Sequence, residues 1–174
     1  LVGSEMCIRD SNADINITKS YEGIEAAKIY VQGGKTCIVS TDDGANAAGD
    51  EPTENAITLS SDDIAEFAGP GGFGGGGNQG PNWGGEDSSS YGYLEVSGGL
   101  LYIEAEGDGF DSNGDGVITG GIVLVNGPTS GGNGVFDVGD NNNTLTITGG
   151  IVIGAGTSDM AVTPTKATNS QYYV

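Results

Sequence analysis

The sequence predicts an all-β fold, a parallel β-helix in which short strands stack coil upon coil, and three observations carry that expectation. A phrase recurs four times: IYVQGGKTCIVS from Ile29, LEVSGGLLYIEA from Leu94, GVITGGIVLVNG from Gly116 and LTITGGIVIGAG from Leu145. Within each phrase apolar residues alternate on both sides of a Gly-Gly pair, which is the period of a strand and not of a helix. The last three Gly pairs, at 98, 120 and 149, lie 22 and 29 residues apart, the repeat length of a stacked coil.

The alternation assigns faces. Ile29 and Val31, Leu94 and Val96, Gly116 and Ile118, and Leu145 and Ile147 precede the Gly pairs on the inward side. Thr36 and Ile38, Leu101 and Ile103, Val123 and Val125, and Val152 and Gly154 follow them on the same side. Gln32, Ser97, Thr119 and Thr148 point outward. The Gly pair allows a bend where a side chain would block close approach. The 65 residues between the first two Gly pairs leave room for about two further coils or one long loop.

A partial coil extends the pattern backwards. INITKSYEGIEA from Ile15 aligns with TCIVSTDDGANA from Thr36 at an offset of 21, which sets Glu22 under Asp43 and Glu25 under Asn46. One coil on, Asp43 aligns with Asp108 and Asn46 with Asp111, and Asp137 continues the Asp111 column. Residues 51–90 break the pattern with GPGGFGGGGNQGPNWGGEDSSS, a glycine-rich insertion expected as an excursion. Its Phe67, Phe73 and Trp83 either cover a coil flank or form a ligand platform.

Composition bounds the function. The chain has 174 residues, 34 of them glycine, and 24 acids against five bases give a net charge of −19. A chain with so few bases is a poor partner for nucleic acid or anionic membrane. No apolar run approaches the ~18 residues of a membrane span. Residues 1–11, LVGSEMCIRDS, resemble the in-frame translation of a widely used transposon-based sequencing adaptor, and are set apart from residues 12–174, read as a single β-helix domain. Without Glu5, Asp10 and Arg9, 22 acids and four lysines remain, a net of −18. Cys37 is then the only cysteine, so no disulfide framework follows. The domain is expected to be truncated at both ends, with the tail SQYYV starting another strand.

Stacked coils sit about 4.8 Å apart, and carboxylates at that spacing repel unless a cation lies among them. The chain has no histidine, and hard oxygen ligands alone point to calcium. The candidate ligands are Asp43, Asn46 and Asp50 on one coil and Asp108, Asp111, Asn113 and Asp115 on the next, with Asp137 and Asp140 as a weaker cluster. The competing explanation is that the Asp-Gly pairs are turn residues only. DSNGDG from Asp111 also looks like the start of an EF-hand, but the twelfth position is Ile122 where a bidentate Glu belongs, and both flanks read as strand. A lysine base (Lys19, Lys28 or Lys35) for a lyase is disfavoured by the acidic surroundings.

The phrases SYEGIEA, STDDGANAAGD, EGDGFDSNGDGVITGG, VLVNGPTSGGNGVFD and GGIVIGAGTSDMA, in that order over Ile15 to about Pro164, resemble the bacterial carbohydrate-binding β-helix domain family first described in a cellulolytic clostridium. The resemblance implies a right-handed β-helix, calcium at the coil corners, and secretion or cell-surface display. It also implies binding of cellulose-like and pectin-like polysaccharides without established catalysis. By motif match it assigns Asp42, Asp43, Asn46, Asp50, Asp108, Asp111 and Asn113 to the metal. Tyr91, Tyr93, Tyr102, Trp83 and Phe73 are the candidates to contact sugar faces. A calcium-dependent uronate lyase and a structural adhesin repeat are the other two readings.

Overall fold

The structure, a computed structural model, describes residues 2–49, 92–139, 142–160, 162–168 and 171–173. Among these there is no helix. Twelve strands follow one another: β1 Val2–Asp10, β2 Asp14–Ser20, β3 Ile24–Ser40, β4 Ala45–Ala47, β5 Tyr93–Ala105, β6 Phe110–Ser112, β7 Asp115–Ile118, β8 Ile122–Asn126, β9 Leu145–Ile147, β10 Ile151–Ala155, β11 Lys166–Ala167 and β12 Gln171–Tyr173. Every pairing between them is parallel, and they make a single curled sheet.

The pairing falls into three columns. The first runs from β1 through the front halves of β3 and β5 to β7, β9 and β11. The second runs from β2 through the back halves of β3 and β5 to β8, β10 and β12. The third joins Ile24–Glu25, β4 and β6, and continues as a bridge from Phe110 to Phe136. Parallel neighbours cannot be joined by a tight hairpin, so the chain returns to each column by way of the others.

The register is the one the sequence alignment gave: Ile15 pairs with Thr36, Asn46 with Asp111, Val96 with Ile118 and Val125 with Gly154. β3 lies directly against β5, from Ile29 with Leu94 to Ser40 with Ala105. No further coil separates them, so the 65-residue gap is a long excursion. The segment set apart at the N-terminus forms β1, in register with β3 from Ile8–Ile29 to Asp10–Val31, with the Arg9 guanidinium 5.6 Å from the Tyr30 ring centre. Cys37 is a free, half-buried thiol.

The inward ladders are the core. Ile29, Val31, Ile38, Leu94, Val96, Leu101, Ile103, Ile118, Val123, Leu145, Ile147 and Val152 are all buried, and Gln32, Ser97 and Thr119 are exposed. The two glycines in these ladders make room for aromatic rings. A Cβ on Gly116 would meet Phe110 at 2.8 Å, and one on Gly154 would meet Val135 at 2.5 Å and Phe136 at 3.0 Å. Phe110 and Phe136 themselves pack with ring centres 5.8 Å apart. The second glycine of each Gly pair has a left-handed backbone, with φ of 67° at Gly34, 75° at Gly99, 79° at Gly121 and 85° at Gly150.

Candidate metal centre

The second and third columns meet at a stack of short loops, each carrying an acid followed by glycine: Glu22–Gly23, Asp43–Gly44 and Asp108–Gly109. The loops hydrogen-bond to one another along the stack. Gly23 N–H donates to the Asp43 carbonyl (2.9 Å), Gly44 N–H to the Asp108 carbonyl (2.8 Å) and Gly109 N–H to the Gly134 carbonyl (3.1 Å). Glycine is required because the loops press on the core: a Cβ on Gly44 would lie 2.3 Å from the Ile103 side chain and 2.5 Å from the Gly109 carbonyl oxygen. Beside this column runs a second, in which Glu25 pairs with Asn46 and Asn46 with Asp111. The two columns together bring Glu22, Glu25, Asp42, Asp43, Asn46, Asp108, Asp111 and Asp137 to one corner.

These carboxylates are partly or wholly withdrawn from water. Asp111 is only 9% exposed. Burial first, and then the charges of Asp43, Asp108, Asp137 and Glu22, hold its carboxyl well above the usual carboxylate range. Burial, followed by repulsion from Asp108, Asp42 and Asp137, pushes Asp43 up to about 7. Glu22 also rises to about 7, through burial and then Asp43, Asp42 and Glu25. Asp108 rises to about 6, again through burial first, with Asp137 and Asp42 adding to it.

Some of the oxygens have protein partners. Asp108 N–H donates to Asp43 Oδ1 at 2.7 Å, Gly134 N–H donates to Asp108 Oδ1, and Val138 N–H donates to Asp137 Oδ1 at 2.8 Å. Others do not: among the described residues, Glu22 Oε2, Glu25 Oε2 and Asn46 Oδ1 are buried without a hydrogen-bond partner. A buried polar atom left this way is costly. Asn46 donates its Nδ2 to Asp43 Oδ2 (3.4 Å), which leaves its Oδ1 free for a different kind of partner. Glu22, Asp42 and Asp43 each place one oxygen so that all three lie within 4.8 Å of one another. Oxygens on opposite sides of a calcium ion lie up to about 5 Å apart, so this triad fits that ion's shell. The donor set is oxygen only, which suits calcium better than a soft metal.

The expected ligand set divides. Asp42, Asp43, Asn46, Asp108, Asp111 and Asp137 converge. Asn113 and Asp115 do not, because β6 ends at Ser112 and the chain turns into β7. Asp115 lies exposed at the start of β7, where its Oδ1 accepts from Thr144 N–H (2.7 Å) and Thr144 Oγ1 (3.0 Å). Asn113 spends its backbone carbonyl on Asn143 Nδ2 (3.3 Å) at the same corner. The DSNGDG run is therefore split between two corners, with Asp111 at one and Asp115 at the other. Asp50 and Asp140 lie outside the described residues. Glu22 and Glu25 were not among the expected ligands, although the 21-residue offset already set them under Asp43 and Asn46. The Tyr21 hydroxyl, hydrogen-bonded to Asp42 and raised in pKa by that bond, also belongs to the rim.

The tyrosines do not form one platform. Tyr93 is on the outer side of the first column, its ring 5.6 Å from that of Tyr30 and its hydroxyl donating to Glu95 Oε2 at 2.9 Å. Burial, then Glu95, pushes its phenol up to about 12. Tyr102 is on the outer side of the second column, donating to Glu104 Oε2 at 3.3 Å. Tyr91, Trp83 and Phe73 lie outside the described residues. A groove of about 610 Å³ sits where the second column meets the acidic loops, lined by Ser40, Thr41, Thr129 and Ser130, with Lys19 and Glu106 at its sides. Compared with known proteins, the chain matches no family model, no curated protein and no solved structure.

Proposed function

We propose that the protein is an extracellular or cell-surface calcium-binding module that binds plant-cell-wall-type or acidic polysaccharide, and that its curled sheet is part of a right-handed parallel β-helix. The observation that carries the calcium reading is the buried acidic corner with three unpartnered oxygens, at Glu22, Glu25 and Asn46. Glu22, Asp42 and Asp43 would hold the ion, with Asn46 Oδ1 turned to it and Asp108 and Asp111 supplying charge from the next coil. Calcium supplies positive charge at a site where four or more carboxylates cannot all ionise alone.

The polysaccharide reading rests on the motif resemblance and on the groove beside this corner. Its serine and threonine hydroxyls offer donors and acceptors to sugar hydroxyls, and Lys19 offers a cation to a uronate. Thr41 precedes the Asp42 ligand directly, so a chain lying in the groove reaches the ion. That arrangement lets an acidic protein hold an acidic glycan: the ion reverses the local sign, and long-range repulsion is screened at physiological salt. The module acts here by binding, without turnover.

Titration calorimetry with calcium, followed by retention on insoluble cellulose and on polygalacturonate with and without chelator, tests both parts. Calcium binding that Asp43→Asn abolishes, and glycan retention that chelator reverses, support the reading. Calcium binding with no retention on either glycan would leave a structural repeat. Ultraviolet-absorbing product from polygalacturonate would make the protein a lyase.

A further inference from the structure

The outer side of the second column has a character that neither the metal nor the glycan reading uses. Alternation should leave polar residues outward there, as it does on the first column with Gln32, Ser97 and Thr119. Instead two apolar ridges run along the stack. Leu100 pairs with Ile122 and Ile122 with Ile151; Tyr102 pairs with Leu124 and Leu124 with Ile153. Ile122, Ile151 and Ile153 are 40%, 50% and 44% exposed, and Val39 extends the patch on β3. Scattered exposed isoleucines need no explanation, but a registered array of them does.

We infer that this face is a self-association surface, taken by the same face of a second copy. Three features choose that occupant. The ridges are aliphatic, and their one hydroxyl, Tyr102, is already bonded to Glu104, so a hydroxyl-rimmed sugar or a polar peptide would lose hydrogen bonds to water and recover few. The acids are concentrated elsewhere, at the corner between the second and third columns, so face-to-face contact is the approach that brings two strongly negative chains together with least repulsion. A parallel sheet with the regular step of about 4.8 Å between strands is also matched in period by another such sheet, whose ridges settle between its own at about 10 Å separation.

The area sets the strength. Four strands deep and about five residues wide, the patch covers on the order of 320 Å² of sheet plane on each copy. Two copies then bury well under the roughly 1,200 Å² of a standard stable interface. The dimer is therefore weak, isologous and concentration-dependent, and low ionic strength opposes it.

Sedimentation velocity over about a hundredfold range of concentration, at physiological salt, tests this. The average mass of the wild-type chain should rise from monomer toward dimer, and Ile122→Lys with Ile151→Lys should hold it at monomer throughout. Thr119→Lys, the same kind of change on the outer side of the first column, should leave the wild-type curve unaltered. If the lysine variants fail to fold by circular dichroism, Ile122→Thr with Ile153→Thr serves in their place. A wild-type chain that stays monomeric over the whole range overturns the proposal, as does association that the face variants leave unchanged. Loss of retention on insoluble neutral glycan by the face variants, with every chain monomeric, would assign the face to glycan instead.

Discussion

β3 and β5 each lead into two corners that the chain turns in opposite chemical ways. At the Gly-Gly corner the bend is made by removing side chains. A Cβ on Gly99 would lie 2.4 Å from the Gly33 carbonyl carbon, and φ there is 75°. At the acidic corner a dozen or so residues further on, glycines again make the close contact, but beside each sits a carboxylate that the next coil repels. The first corner is complete as built. The second is complete only when something neutralises it. A solenoid can thus place a bend that is indifferent to solvent conditions next to one that responds to them, on the same strands.

The largest effect that separates the two corners is Gly99→Val. A β-branched residue in left-handed backbone costs of order 1–3 kcal/mol, and here its Cβ also strikes backbone that cannot move aside. Loss of folded protein is expected, equally with calcium or chelator and at any pH, measured as soluble yield and melting temperature. A variant that calcium rescues fully would mean that the corners are not independent.

Next in size is calcium itself. Added at about a hundred times its dissociation constant, a ligand bound only by the folded state stabilises it by about 2.7 kcal/mol, on the order of 5–10 °C in melting temperature for a chain of this size. Asp43→Asn keeps an oxygen for Asp108 N–H but removes a charge. Without calcium at pH 7 or above, this variant should melt above the wild type, and with calcium below it. That reversal of order is the signature of a metal site. A turn-only role for Asp43 predicts no reversal.

A third, smaller effect is the response of the metal-free protein to pH. Glu22, Asp43 and Asp108 have folded-state values raised to about 7, 7 and 6, while in the unfolded chain they titrate near 4. Between about 4 and 7 the folded state then holds more protons than the unfolded state, so stability falls as pH rises through that window. Calcium competes with those protons, and its affinity should climb over the same range. Differential scanning calorimetry at pH 4, 5, 6 and 7 with chelator should show a falling melting temperature. A rising one would contradict the buried, mutually repelling arrangement.

Much of this was legible in the sequence because a stacked parallel sheet is nearly a one-dimensional object. Once IYVQGGKTCIVS is laid under LEVSGGLLYIEA, the pairings of Ile29 with Leu94 and Asn46 with Asp111 follow from offsets alone. The same offsets held Glu22 and Glu25, which were passed over as ligands because Asp-Gly runs draw attention and a Glu inside SYEGIEA does not. What the offsets could not give is which side of a corner a side chain takes. DSNGDG reads as one loop, yet two residues of extended chain after Asp111 carry the backbone round to a different corner. The ridges on the second column were hidden for a related reason: in LLYIEA and GIVLVN apolar residues occupy consecutive positions, so alternation identifies the inner face without describing the outer one.

The smallest effect tests that split directly. Asp115→Asn keeps an Oδ1 that can accept from Thr144, but exchanges a charged acceptor for a neutral one in an exposed pair of hydrogen bonds. The cost should be no more than about 1 kcal/mol, because exposed bonds trade against water. Calcium affinity, the pH slope and the melting gain on adding calcium should all match the wild type. Under the loop reading Asp115 would be the third ligand after Asp111 and Asn113, and its loss would lower affinity as strongly as Asp43→Asn does. Calorimetric titration of the two variants side by side therefore decides whether DSNGDG serves one corner or two.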